Sequence, residues 1–179
     1  MPRWIVLLRG INVGGKNILP MSELVRHLQA LNLEDVKTYI QSGNAVFRSS
    51  RQVSPTLRAD IATIIAHHHG FKPHVLMLSA DQWEKAIALN PFPEAEAEPK
   101  TLHLFFLAST PTKPDIEALT KAKSPSERFH LGDEVFYLHT PDGIGRSRLA
   151  VHTEKFLGVA ATARNWRTVQ KLWALAKAP

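Results

Sequence analysis

The sequence predicts an α+β protein: a tandem duplication of ferredoxin-like βαββαβ units, with antiparallel sheets and helices packed on one face of each. Two observations carry that expectation. The same order of six elements can be read twice along the 179 residues, each time followed by one extra helix, and a proline- and acid-rich stretch separates the two readings.

The first reading opens with an apolar strand, Trp4 to Leu8, followed by a glycine-rich loop. A helix is expected from about Pro20 to Leu31, because Met21, Leu24, Val25, Leu28 and Leu31 recur at helical spacing on one face. Strands at Val36–Ile40 and Ala45–Arg48 flank Gln41-Ser42-Gly43-Asn44, a hairpin signal. Ser54-Pro55 reads as N-cap and first residue of a second helix that stops at Gly70, with Leu57, Ile61, Ile64 and Ile65 inward. His74 to Leu78 is the fourth strand. An extra helix follows, opened by the capping-box spacing Ser79-x-x-Gln82 and ended near Asn90.

Residues 91–100, with Pro91, Pro93, Pro99, Glu94, Glu96 and Glu98, read as the linker between a first unit at 1–90 and a second at 101–179. The second reading runs strand Thr101–Leu107, helix Pro114–Ala122, then a hairpin of Glu127–Leu131 and Val135–His139 around Gly132-Asp133. A helix from Ser147 to Leu157 is closed by Gly158, a short strand follows at Val159–Ala163, and a last helix at Trp166–Lys177 turns Val169, Leu172, Trp173 and Ala176 inward. Phe105, Phe106, Phe136 and Tyr137 are expected in the core. The stretch around them lacks the basic and glycine lead of an RNA-binding strand.

Composition is that of an ordinary globular chain, 44% hydrophobic and 21% charged. No apolar run approaches the roughly 18 residues of a membrane helix, and the N-terminus lacks the h-region of a signal peptide, so the default expectation is cytoplasmic. With no cysteine, thiolate chemistry and disulfides are excluded. The net charge of +6 is uneven: residues 144–179 hold seven basic groups and one acid, Glu154. A basic surface favours an anionic small molecule or nucleic acid as partner.

Topology says which loops meet. In a ferredoxin-like unit the loop after strand 1 and the turn between strands 2 and 3 emerge at one end. That sets Arg9–Asn17 beside Gln41–Asn44 in the first unit. In the second, residues 139–147 lie at the end where strand 4 exits into Arg164-Asn165-Trp166. If those ends face each other they line one cleft.

Gly10-Ile11-Asn12-Val13-Gly14-Gly15-Lys16-Asn17 nearly spells a P-loop, but Asn17 stands where a magnesium-binding Ser or Thr belongs, and Ile18-Leu19-Pro20 delays the helix. A looser nest of amides around Lys16 remains open, as does a tight loop whose glycines only permit positive φ. In the second unit, Arg146 and Arg148 flank the helix cap Ser147, and Arg164 and Arg167 flank Asn165-Trp166, the start of the last helix. Arginines at helix N-termini oppose the helix dipole by a few tenths of a kcal/mol each when exposed. Residues that break a local rule often mark function, and amides with arginines suit phosphate or carboxylate. Pairing with Glu94, Glu96 and Glu98 is the alternative.

The candidate anion-binding residues are therefore Arg9, Asn12, Gly14, Gly15, Lys16, Asn17, Gln41, Ser42 and Asn44 in the first unit. In the second they are Arg146, Ser147, Arg148, Arg164, Asn165 and Trp166. No catalytic residue is assigned: Ser42 and Ser147 lack a nucleophile motif and a base. No cofactor is implied. His67-His68-His69 is metal-like in composition, but neighbouring helical residues point about 100° apart, so it reads as a frayed helix end and no metal is expected.

Three stretches, Leu7–Met21 (LLRGINVGGKNILPM), Thr38–Phe47 (TYIQSGNAVF) and Ala160–Leu172 (AATARNWRTVQKL), together with PDGIGRS at 141–147, resemble the bacterial family called domain of unknown function 1697. The resemblance implies a duplicated ferredoxin-like fold; it implies no activity, and no functional residues carry over. Ala163 and Arg167 depart from the last motif between its distinctive positions. The leading expectation is a protein that binds a phosphate-bearing ligand. The rivals are a non-catalytic nucleic-acid binder and a protein-interaction module with no small ligand.

Overall fold

The computed structural model describes residues 1–50 and 55–178. Its order is β1 (Arg3–Arg9), α1 (Met21–Ala30), β2 (Glu34–Tyr39), β3 (Asn44–Arg48), α2 (Pro55–His69), β4 (His74–Ser79) and α3 (Ala80–Ala88). It continues with β5 (Leu102–Leu107), α4 (Ile116–Ala122), β6 (Arg128–Leu131), β7 (Val135–His139), α5 (Arg148–Leu157), β8 (Ala161–Asn165) and α6 (Trp166–Lys177). The strands form two four-stranded sheets, β2-β3-β1-β4 and β6-β7-β5-β8. Neighbours are antiparallel throughout. This is the expected ferredoxin-like order, twice.

The periodicities explain the elements. Val6 and Leu8 of β1, Ala45 and Phe47 of β3, and Val75 and Met77 of β4 face the helices, where Leu24 and Leu28 of α1 and Leu57, Ile61 and Ile65 of α2 complete one core. Alternate positions on the same strands, Ile5, Leu7, Val46, Leu76 and Leu78, are buried as well. The central strands are thus covered on both faces, which is why they read as unbroken apolar runs rather than alternations. The edge strand β2 is instead charged at Glu34, Asp35 and Lys37 and breaks register between Glu34 and Lys37, which discourages pairing with another chain. In the second unit Phe105, Phe136, Leu138, Leu119, Leu149 and Leu157 form the equivalent core. All four aromatics expected inside are buried, and Tyr137 donates its hydroxyl to the Ala86 carbonyl at 2.7 Å.

Helix ends are set by local chemistry. Ser79 and Gln82 form the full capping box: Gln82 N donates to Ser79 Oγ at 3.1 Å, and Ser79 N donates to Gln82 Oε1 at 3.0 Å. Asp115 and Ser147 accept from Ala118 N and Ala150 N. Such caps contribute about 1 kcal/mol each. Gly158 closes α5 at φ +73°, and Leu33 N reaches back to Leu28 O past Asn32 at φ +61° to close α1. The expected N-cap Ser54 lies outside the described residues.

The structure refines three expectations. The fourth strand of the second unit is Ala161–Asn165 rather than 159–163, because pairing with β5 continues to His103 opposite Asn165. The segment between units carries a 3-10 turn at Pro93–Ala97 with Phe92 and Ala95 buried, so it is packed and not a loose tether. The histidine tract is not frayed: it completes α2, which Gly70 ends at φ +73° with Gly70 N on Ala66 O at 3.0 Å.

By compactness the chain divides into Met1–Lys85 with Gln170–Pro179, and Ala86–Val169. The end of α6 therefore belongs with the first unit, where Arg3 Nη1 donates to the Ala176 carbonyl. No helix among the described residues is long and apolar enough to cross a membrane.

Candidate functional site

In the first unit the predicted meeting of loops is present. Leu8 N donates to Gly43 O at 2.8 Å, and Asn12 Nδ2 donates to the Gln41 carbonyl at 2.7 Å. The glycine loop itself is a miniature hairpin. Gly14 and Gly15 have φ of +58° and +72°, as a type I′ turn requires, and Lys16 N donates to Val13 O at 3.0 Å. Asn12 N donates to Asn17 O at 3.1 Å. A P-loop aims such amides at phosphate; here the amides of Asn12 and Lys16 close the loop on itself.

The polar side chains follow the same course. Asn12 also bonds Leu19 in both directions, Nδ2 to its carbonyl and Oδ1 from its amide, each 2.8 Å. Asn17 Nδ2 donates to Gly10 O at 2.9 Å. Asn44, fully buried, donates to Tyr39 O and Ser42 Oγ. Gly43 sits at φ +76°, and a Cβ there would lie 2.7 Å from Leu8 Cβ and Ile11 Cδ1. The loop pair is thus bolted by Asn12, Asn44 and Gly43, leaving Arg9, Lys16 and Gln41 exposed around it and Ser42 half-buried.

In the second unit the sheet register gathers the other candidates. His139, where β7 ends, pairs with Leu102, and Asn165, where β8 ends, pairs with His103 one residue along the same strand. β7 leads through Ser126-anchored Asp142 into α5, which runs back to the start of β8. The N-termini of α5 and α6 consequently lie at one end of the sheet. Ser147 and Asn165 are both caps, Oγ accepting from Ala150 N and Oδ1 from Thr168 N, each 3.0 Å. Trp166 is buried and serves packing.

Neither helix carries an acid in its first turn. Arg146, Arg148 and Arg167 are exposed, and none has a carboxylate partner among the described residues. Arg164 is half-buried with Nη1 on the Ala163 carbonyl at 2.8 Å; burial pushes it down to about 10, which leaves it cationic at neutral pH. Two of the three linker acids are engaged elsewhere. Glu94 pairs with Arg128, whose hydrogen bond holds its carboxyl below the usual range, and Glu96 accepts from Asn90 Nδ2 at 2.8 Å. Nearby acids are likewise occupied: Asp142 accepts from Ser126 Oγ, Glu127 from Ser124 N, and Glu154 from Ala161 N.

Sequence reading missed His103. It is buried on β5 opposite Leu138 and Asn165, its Nδ1 has no partner among the described residues, and burial pushes it down to about 4. The signal was a polar residue inside the apolar run Leu102-His103-Leu104-Phe105-Phe106-Leu107. It also missed His27, which occupies the apolar face of α1 beside Leu24 and Leu28 and meets the histidine tract at the end of α2. Burial, with His68 and His69 close by, lowers its affinity for a proton.

Two four-stranded antiparallel sheets, each with helices on one face and each built from one βαββαβ unit, define a duplicated ferredoxin-like α+β protein. Within that class the chain belongs to the family described as protein of unknown function DUF1697, whose profile matches residues 1–137. The resembling stretches at 141–147 and 160–172 lie past the matched span. A conserved bacterial protein from Streptococcus pneumoniae has a similar structure: TM-score 0.71 and 25% identity, over 98% of this chain and 99% of that one. No curated protein matches the chain at a significant level.

Proposed function

We propose that this protein binds a phosphate-bearing anion, such as a nucleotide, at the arginine-rich end of the second unit. The observation that carries the reading is the convergence of two helix N-termini, those of α5 and α6, at one end of a sheet, surrounded by Arg146, Arg148, Arg164 and Arg167. Both helix ends already favour negative charge through their dipoles. Arginines there raise the local potential at the expense of helix stability, an arrangement that a bound anion would relieve. Arginine also grips phosphate with two parallel N–H groups. Within the first unit, taken by itself, Arg9 and Lys16 are exposed beside a loop whose own amides are occupied.

Thermal-shift titration with pyrophosphate, mononucleotides and a short oligonucleotide tests this, with an Arg146→Ala/Arg148→Ala double variant alongside. The expected outcome is a rise in melting temperature with pyrophosphate or a mononucleotide that the double variant loses. No shift with any anion, or an undiminished shift in the variant, overturns the reading. A response confined to the oligonucleotide, with affinity falling steeply in salt, assigns the surface to nucleic acid instead.

A further inference from the structure

We infer that Glu23, His27 and His69 form a site for a zinc-type divalent transition-metal ion in the first unit. One ligand atom from each of the three lies within 4.8 Å of those of the other two. Glu23 and His27 are four residues apart on α1, so they share a face one turn apart. His69 arrives from the last turn of α2, and its Nε2 is 2.9 Å from Nε2 of His27.

The three ligands are held by the fold rather than by chance rotamers. Leu24 and Leu28 of α1 and Ile61 and Ile65 of α2 lock the two helices into one core. His27 is buried, with the His68 ring stacked on it at 4.7 Å. Arg26 Nη1 holds one carboxylate oxygen of Glu23 at 2.7 Å, the kind of outer contact that orients a metal-binding carboxylate. His69 and Glu23 are half-exposed, which gives an ion a path in from solvent.

The donor set selects the metal. Two imidazoles and one carboxylate suit zinc, cobalt, nickel, copper or ferrous iron, whereas calcium and magnesium take oxygen ligands. Bonds of about 2.0–2.1 Å in a tetrahedral site set two ring nitrogens about 3.3 Å apart. The His27–His69 pair would open by only about 0.4 Å to meet that geometry, and half-exposed Glu23 offers a carboxylate oxygen within 4.8 Å of both nitrogens. Three protein ligands leave the fourth position for water or for a ligand atom of a substrate. The tract that composition alone suggested is thus resolved: only its last residue ligates, and its partners come from another helix. The site is independent of the arginine-rich end of the second unit.

The test is zinc uptake by the untagged full chain, measured by equilibrium dialysis with elemental analysis, with cobalt substitution followed by absorption. We expect about one zinc per chain, and a tetrahedral cobalt spectrum. His69→Ala should weaken binding about 100-fold and Glu23→Gln roughly 10-fold, with His67→Ala unchanged. Both weakened variants alter partly exposed residues, and unchanged metal-free melting would show that they fold. Absence of uptake by the natural chain overturns the site. So does undiminished uptake by His69→Ala, or an equal loss in His67→Ala, which would mean that the exposed tract alone captures metal.

Discussion

The glycine loop of the first unit and the arginine-rich end of the second carry the two anion-binding signals of the sequence, and the structure treats them in opposite ways. In the first, Asn12 makes three hydrogen bonds to Leu19 and Gln41, Asn17 ties to Gly10, and the amides of Asn12 and Lys16 close a type I′ hairpin. In the second, the cap residues Ser147 and Asn165 satisfy their helices while Arg146, Arg148 and Arg167 extend outward without carboxylate partners among the described residues. A motif written in donors and acceptors says nothing about which of them the fold consumes. A surplus of like charge at a helix end is different, because hydrogen bonds to neutral groups leave the charge in place.

The comparison can be broken first at Gly43. If the first-unit loops are a structural clasp, Gly43→Ala should cost roughly 2–4 kcal/mol, from positive φ and the 2.7 Å approaches to Leu8 and Ile11. Gly14→Ala, with open space around its Cβ, should cost only about 1 kcal/mol. Urea denaturation of both variants measures the difference; equal losses would mean that the clasp is not what fixes the loops.

A second, smaller effect belongs to the other region. Burial lowers His103 from 6.5 to about 4, so between those values the unfolded chain holds a proton that the native chain does not. The associated stability is complete above about pH 6.5 and lost as pH falls toward 4, amounting to about 2 kcal/mol at pH 5. Unfolding free energies from pH 7 to 5 should fall by that amount, and His103→Leu should flatten the profile. A variant that keeps the slope would assign it to other groups.

The smallest effect sharpens the contrast most. Arg148→Ala removes a charge opposed to the dipole of α5 and should stabilise the ligand-free protein by a few tenths of a kcal/mol. Under the proposed function the same change weakens anion binding. Opposite signs in the two measurements would mark a residue kept for binding; destabilisation without ligand would show that Arg148 has a structural role.

The legibility of the fold follows from burial. Ile5–Leu8, Leu102–Leu107 and Val135–Leu138 read as strands because covering both sheet faces demands continuous apolar runs, and the caps at Ser79, Ser147 and Asn165 stand within three residues of the amides they satisfy. The end of β8 shifted because pairing with β5 is a nonlocal fact. The tail of α6 joined the first unit, beside Arg3, because which core a helix packs on is likewise a nonlocal fact that its own residues do not announce.

The sequence by itself determined the family, the duplicated βαββαβ order, the helix caps and the uneven distribution of charge, all of which depend on residues near one another along the chain. Only the tertiary structure decided that Asn12 and Asn44 act as bolts, that His103 is buried, and that His27 of α1 meets His69 of α2 across 42 positions. Those outcomes depend on which helix crosses which strand. That arrangement is fixed by the summed burial of many side chains, so no single residue type or spacing announces it.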